Sequence, residues 1–419
     1  MRKLLSVTFF TGLLTLSRMI AGFIVAKVVA IYTGPTGIAM LGQLQNLINS
    51  ITGLINSPVN TSVVKFTAEK HLEGYEACSS WWRVSIRWTI ILYSIIAPIL
   101  LLFSSFVSHF LFETETYSWI IVASAFSLPF TAIGTFINSV LNGQKLYKQY
   151  VILGMISVVL SSIVMLSLVV KYGIQGALIA VTIQNALIGL GMLLFAIHKP
   201  WCRLKYLFGS IDKENSKIVL GYVLMAVVSA VTMPTALIII RKLLISEVGW
   251  EITGYWQAVW KISETYLTVI TMSLSIYYLP LLSTIKSAEG LKKEIKSTAY
   301  IVMPAVALMA LIIYLFRDMA LSILFTESFR NARELFSIQL CGDVVKILSW
   351  LYAYALISRG ATRLFVLCEI TAAVTFVTMS YFCIKEFGAQ GANIAYLLNY
   401  IVYFILVYIC LQKGIKENS

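Results

Sequence analysis

The chain has 419 residues, 59% of them hydrophobic and only 12% charged, and its mean hydropathy is +0.85. No soluble globular class has that balance, whereas a chain that crosses a membrane many times does. The net charge of +13 reads as lysines and arginines that hold loops on the cytoplasmic side, so nucleic acid is not expected as a partner.

The opening run, MRKLLSVTFFTGLLTLSRMIAGF, begins like a signal peptide but stays apolar to about Tyr32 with no small-residue cleavage site. It therefore reads as a first span. Apolar segments long enough to cross a bilayer follow in order, giving 5–33, 36–64, 84–108, 117–141, 149–171, 174–198, 217–244, 252–282, 297–316, 331–358, 361–384 and 389–411. The expected fold class is an all-α integral membrane protein of about twelve transmembrane helices. The longest connection lies at the midpoint, so 200–216 is expected to be a cytoplasmic linker between six-helix lobes 1–199 and 217–419. With the N-terminus inside, twenty-one of the 32 lysines and arginines fall in cytoplasmic segments, five in outer loops and six within spans. That excess places both termini in the cytoplasm.

The chain repeats itself. YGIQGALIA at Tyr172–Ala180 recurs as FGAQGANIA at Phe387–Ala395, 215 positions later, and Thr36-Gly37 recurs as Thr253-Gly254, 217 later. Because six is even, both halves enter from the same side. The repeat is parallel, with pseudo-symmetric lobes and the site expected between them.

Span 8 carries a polar stripe at helical spacing: Gly254, Gln257, Lys261, Glu264, Thr268, Thr271 and Ser275. Span 2 carries Gln43, Asn46, Ser50, Gly53, Ser57 and Asn60 in the same manner. A charge in a span costs about 2.5–3.5 kcal/mol on insertion scales and faces a cavity or a partner. The cations Arg18, Lys27, Arg241, Lys242 and Lys261 are candidates for lining a cavity that takes an anion such as phosphate or pyrophosphate. Snorkelling to the headgroups is the alternative for Arg241 and Lys242. Among the acids, Glu264 lies three from Lys261 and Asp343 three from Lys346, while Glu369 has no such neighbour. These carboxylates are either halves of structural ion pairs or groups that couple transport to a proton or other ion. Arg83 and Arg87, beside Trp81, Trp82 and Trp88 at the inner edge of span 3, read as an interfacial anchor or as collectors of an anionic lipid headgroup.

Several chemistries lack their residues. There is no G-x-x-x-x-G-K-[ST] phosphate loop, the three histidines His71, His109 and His198 are scattered, and the six cysteines show no CxxC. The outer loops are too short for a polymerase or ligase surface. The chain is not expected to be an enzyme or to hold a cofactor or metal.

The runs AKVVAIYTGPTGIAMLGQ, IIIRKLLISEVGWEITGYWQAVWKISETYL, SIYYLPLLS and IQLCGDVVK resemble the Wzx-type flippases of the multidrug/oligosaccharidyl-lipid/polysaccharide (MOP) exporter superfamily. The resemblance runs through the whole chain and is nearest to the common-antigen branch. It implies two six-helix lobes in a MATE-like V and a cationic central cavity. It also implies a bacterial inner-membrane flippase of undecaprenyl-pyrophosphate-linked O-antigen or common-antigen units. Membrane lipids and other glycan-assembly proteins are its implied partners. On that reading the cations hold the pyrophosphate, and Gln43, Asn46, Ser50, Asn60, Gln257 and Thr268 meet sugar hydroxyls. A drug/cation antiporter of the same superfamily is the alternative, though six intramembrane cations against three acids suit it poorly.

The charge count makes a direct prediction. A reporter fused after Lys205 is expected in the cytoplasm and one fused near Glu115 in the periplasm; either on the other side would overturn the orientation.

Overall fold

The computed structural model describes residues 2–60, 62–285 and 287–417. Lys286 of the charge count lies outside the described residues, as do the side chains of Arg2, Lys3, Lys413 and Lys416. The described chain is helical throughout: α1 (Arg2–Asn60), α2 (Ser62–Lys70), α3 (Tyr75–Leu102), α4 (Ser104–Phe112), α5 (Ser118–Gly143), α6 (Tyr147–Ala196), α7 (Leu204–Leu207), α8 (Lys213–Ser273), α9 (Leu279–Thr284), α10 (Ala288–Leu315), α11 (Arg317–Leu324), α12 (Phe336–Ser358), α13 (Thr362–Phe387) and α14 (Ala389–Glu417). A π-helical turn, Leu274–Tyr278, joins α8 to α9, and a 3-10 stretch, Glu327–Leu335, leads into α12.

Among the described residues nine helices are long and apolar enough to span a membrane, where the sequence leads to twelve. The difference lies in α1, α6 and α8, each of which encloses two expected spans. A straight helix of 59 residues would be about 88 Å long, nearly three times the ~30 Å hydrocarbon layer. Each of the three is broken at one glycine: Gly34 (φ 63°, ψ −165°), Gly173 (φ 55°, ψ −128°) and Gly249 (φ 83°, ψ 173°). A side chain strongly disfavours these dihedrals, so the break falls where the sequence offers a residue without Cβ.

The breaks also fix the repeat. Gly34 and Gly249 are 215 apart, as are Gly173 and Gly388, which ends α13 at φ 56° and ψ −136°. Lys145 (φ 59°) and Gly360 (φ 68°) stand at the same offset. The backbone bonds around those turns recur too: Lys145 N to Asn142 O and Leu146 N to Leu141 O match Gly360 N to Ile357 O and Ala361 N to Leu356 O. The register of spans 2 and 8 is therefore 215, and not the 217 that Gly37 and Gly254 suggest. Gly254 instead serves a close approach of two backbones, since a Cβ there would lie 2.1 Å from the Pro35 carbonyl oxygen.

The chain packs as two compact units. One holds residues 1–32 and 40–234; the other holds 33–39 and 235–419. Hydropathy puts the midpoint at 200–216, whereas packing passes from one unit to the other inside α8. In the first unit α5 lies along α6, and α2 and α3 pack on α5. Its core gathers Val59, Trp82, Phe136, Val140 and Trp201. Trp82 is fully buried and donates its indole N–H to Thr67 Oγ1 at 2.8 Å. In the second unit α12 and α13 lie along α14, with α10 against α12. Serines and threonines inside the spans bond back to carbonyls of the preceding turn, as Ser124 does to Ile120 O and Thr182 to Leu178 O. Each of these two hydroxyls is thereby satisfied inside an apolar layer, whereas those of Ser50, Ser85, Thr89 and Ser380 are buried without a partner.

Replacing Gly249 by alanine is expected to cost about 1–3 kcal/mol, read as a lower midpoint of thermal unfolding in detergent. Gly191→Ala, at a helical glycine with open space around it, should leave the midpoint unchanged or raise it slightly. Equal behaviour of the two would remove the role given to the break.

Candidate functional site

The second unit contains a buried polar cluster that begins on α8, on residues flanking the polar stripe. These are Trp256, Trp260 and Tyr266, and all three are buried. Tyr266 donates its hydroxyl to Asp343 Oδ2 at 2.8 Å. From α14, Tyr396 donates to Asp343 Oδ1 at 2.8 Å, and from α12 itself Gln339 Nε2 reaches Oδ1 at 3.4 Å. Asp343 has no exposed surface, so these donors replace the water that a carboxyl group otherwise requires.

Tyr396, Tyr400 and Tyr403 follow at spacings of four and three on one face of α14. Their rings meet edge to face, with centroids 4.9 and 6.1 Å apart. Tyr403 donates to Glu369 Oε1 at 2.5 Å, so the ladder joins the two acids. The ammonium of Lys346 lies over it, 5.8 Å from the Tyr396 ring, 5.4 Å from Tyr400, and 5.9 and 5.8 Å from Trp260 and Trp350. Aromatic faces at such distances stabilise a cation electrostatically. A missing side chain makes room for this: a Cβ on Gly342 would sit 2.4 Å from Tyr396 Cδ1.

A second polar group lies higher in α8. Arg241 is 2% exposed, and its Nε donates to Gln257 Oε1 at 2.6 Å. Its guanidinium carbon lies 5.6 Å from the Trp256 ring. Trp256 in turn donates to Asn393 Oδ1 at 3.0 Å, and Asn393 Nδ2 donates to Leu335 O at 2.9 Å.

The other expected site residues fall as follows. Arg18 is exposed and Lys27 half-buried, both in the first unit; Lys242 and Lys261 are half-buried in the second. Lys27 and Lys242 are 215 apart, each seven residues before a break glycine, and so are equivalents under the backbone repeat. In the span 2 stripe Gln43 and Ser50 are buried, Asn46 half-buried and Asn60 exposed. In span 8 Gln257 is buried, while Glu264 and Thr268 are exposed. Neither expected ion pair forms: among the described residues no contact within 4 Å joins Lys261 to Glu264 or Asp343 to Lys346. Three-residue spacing shares a face, but Glu264 is left to solvent and Asp343 is taken by phenols. Sequence reasoning misses Tyr266, Tyr396, Tyr400, Tyr403 and Asn393. The tyrosine spacing on α14 is the available signal, but in hydropathy a tyrosine counts only as one more residue of a span. Among the described residues no group of three or more His, Cys, Asp or Glu is placed to hold a metal ion.

No family model matches the chain. It is 29% identical to the "Lipid III flippase" of Escherichia coli (strain K12) over 408 residues, covering 96% of this chain and 97% of that protein, and equally to that of Shigella flexneri. An inward-facing multidrug-resistance MATE transporter of the MOP superfamily superposes with a TM-score of 0.76 at 16% identity, over 97% of this chain and 95% of the other. A Pyrococcus furiosus MOP-superfamily transporter, described as having a binding pocket of reversed polarity, superposes at 0.64 and 15% identity over 97% and 96%. The chain is thus a multi-pass, all-α membrane protein with the fold seen in MATE transporters.

A double-mutant cycle tests the fit at Gly342. Tyr396→Phe should cost about 1–3 kcal/mol by leaving Asp343 a donor short. If Gly342→Ala already displaces the ring, the double variant should be little worse than Gly342→Ala alone. Additive losses would mean that Gly342 does not position Tyr396.

Proposed function

We propose that the chain is a flippase that carries an undecaprenyl-pyrophosphate-linked oligosaccharide from the cytoplasmic to the periplasmic leaflet of a bacterial inner membrane by alternating access. The observation that carries this reading is the end-to-end likeness to the lipid III flippases, 96% of this chain against 97% of theirs. Multidrug-resistance transporters share the fold at only 16% identity, a level that speaks for architecture alone. The reading takes the twelve spans of the sequence, with the glycine breaks inside α1, α6 and α8 as the turns between paired spans.

In this proposal the pyrophosphate is met by Lys27 and its repeat equivalent Lys242, with Arg18 and Lys261 as further cations. Arg241 is fully desolvated and held by Gln257, so its part is to carry fixed positive charge beside Lys242 rather than to reach out. Exposed Thr268 and Asn60 suit sugar hydroxyls; Gln257 is already engaged by Arg241. Asp343 and Glu369, joined by the tyrosine ladder and faced by Lys346, are the groups for coupling to a proton or other ion. Glu264 is a weaker candidate, since it stands exposed with no cation within 4 Å among the described residues. Other glycan-assembly membrane proteins would supply and consume the cargo.

A second reading, a drug/cation antiporter, is favoured by the solved structures of this fold and by two acids of the second unit, buried Asp343 and half-buried Glu369. One experiment separates them. In a strain lacking its lipid-linked-oligosaccharide flippase, the wild-type chain should restore surface glycan without changing drug susceptibility. Lys27→Ala and Lys242→Ala should each abolish restoration at normal protein level, and so should Asp343→Asn. Drug resistance without glycan would replace the first reading by the second.

A further inference from the structure

The first unit contains a cavity of about 350 Å³ that the proposed transport does not use. Its walls come from the end of α1 (Ile55, Val59), one face of α3 (Ile86, Ile90), α5 (Phe136) and the linker (Phe208), and they are almost wholly apolar. The volume falls in the ~300–1,000 Å³ range of ligand pockets. It has room for on the order of ten groups of the ~30 Å³ that a water occupies in liquid. An apolar void of this kind stays dry and takes a hydrocarbon.

Three further observations narrow the occupant. First, the cavity is open at Ile90 and Phe208, which are 49% and 56% exposed. Leu204, four residues before Phe208 and 73% exposed, extends that apolar rim. Second, cations neighbour the lining residues in sequence. Arg87 lies between the lining residues Ile86 and Ile90, Arg203 follows the lining residue Cys202, and Lys205 precedes Leu207. All three cations are exposed. Arg83 pins the linker by donating its Nη2 to Lys205 O at 2.5 Å, and Glu76 lies 3.9 Å from it. Third, Thr89 lines the cavity, is 8% exposed, and its hydroxyl has no hydrogen-bond partner. A buried donor left bare costs about 1–3 kcal/mol, and an ester carbonyl entering the cavity would accept from it.

We propose that this cavity holds one acyl chain of an anionic phospholipid from the leaflet that the linker borders, with its ester near Thr89 and its headgroup among Arg87, Arg203 and Lys205. The alternative hydrocarbon, a polyprenyl tail, is too long for the space. Trp201, buried against Trp82 with ring centroids 6.4 Å apart, anchors the linker as the roof of this site. The proposal stands on the first unit alone and does not depend on what the chain transports.

The test uses the full chain in nanodiscs, with phosphatidylglycerol carrying a diazirine on one acyl chain and phosphatidylcholine carrying the same chain. Labelled peptides are mapped by mass spectrometry. Phosphatidylglycerol should label peptides covering Ile86–Tyr93 and Pro129–Ile137 in preference to phosphatidylcholine. Ala132→Trp, which fills the cavity, should remove that labelling and leave labelling at the exposed Ile156 and Leu160 face of α6 unchanged. Should that variant fail to fold, the surface pair Arg87→Gln/Lys205→Gln reads the headgroup instead. At about 1 kcal/mol per charge near a membrane surface, the pair should reduce the preference by roughly thirtyfold. Equal labelling by both lipids, or labelling that survives both variants, overturns the proposal. Displacement by a polyprenyl phosphate but not by unlabelled phosphatidylglycerol overturns it too, because the cavity would then belong to the cargo.

Discussion

Inside a hydrocarbon layer every backbone N–H and C=O must find its partner within the protein. A chain that has to turn at the membrane therefore turns in as few residues as it can. Here the turn inside α1, α6 and α8 is a single glycine, with helical hydrogen bonding resumed on either side. That economy makes the breaks hard to see as loops, and it explains why helices of 59, 50 and 61 residues occur in one chain. The same constraint governs serines and threonines such as Ser124 and Thr182, whose hydroxyls bond to their own helix instead of seeking water.

The backbone is duplicated but the chemistry is not. At the 215 offset Asp343 corresponds to Leu128, Lys346 to Thr131, Glu369 to Gly154 and Tyr396 to Val181. At these four positions the first unit thus has apolar or small residues where the second has its two acids, its lysine and a phenol. Lys27 and Lys242 hold a cation at one position in both halves, as do Lys148 and Arg363. A fold built twice has kept these cations in common, while the acids Asp343 and Glu369 have no acidic counterpart in the first half.

Much of this is legible in the residues. Length and hydropathy mark the spans, since roughly twenty apolar residues are needed to cross and few soluble helices supply them. The repeat shows at Tyr172–Ala180 and Phe387–Ala395, because Gly173 and Gly388 carry the same strained turn. Its register in spans 2 and 8 is misleading at Gly37 and Gly254, since composition alone does not tell a glycine needed for φ from one needed for space. The acids are visible in the sequence but their partners are not. Charge spacing suggests ion pairs, whereas burial favours phenols: Tyr266 and Tyr396 reach Asp343 from α8 and α14, 77 and 53 residues away in sequence. No local pattern announces a contact of that range.

Residues 33–39 belong by packing to the second unit, although the chain on both sides of them belongs to the first. Pro35 lies where only a glycine at position 254 lets the two backbones close. A ribosome adding about 5–20 residues per second would deliver Gly254 roughly ten to forty seconds after Pro35. For that interval the early segment has no permanent seat, and the membrane or a chaperone must keep it available. The second unit can be neither completed before the chain's later half is made nor expressed whole by cutting at the linker. Assembly of the second unit thereby waits on the chain's later half, although one of its pieces, 33–39, is made near the beginning.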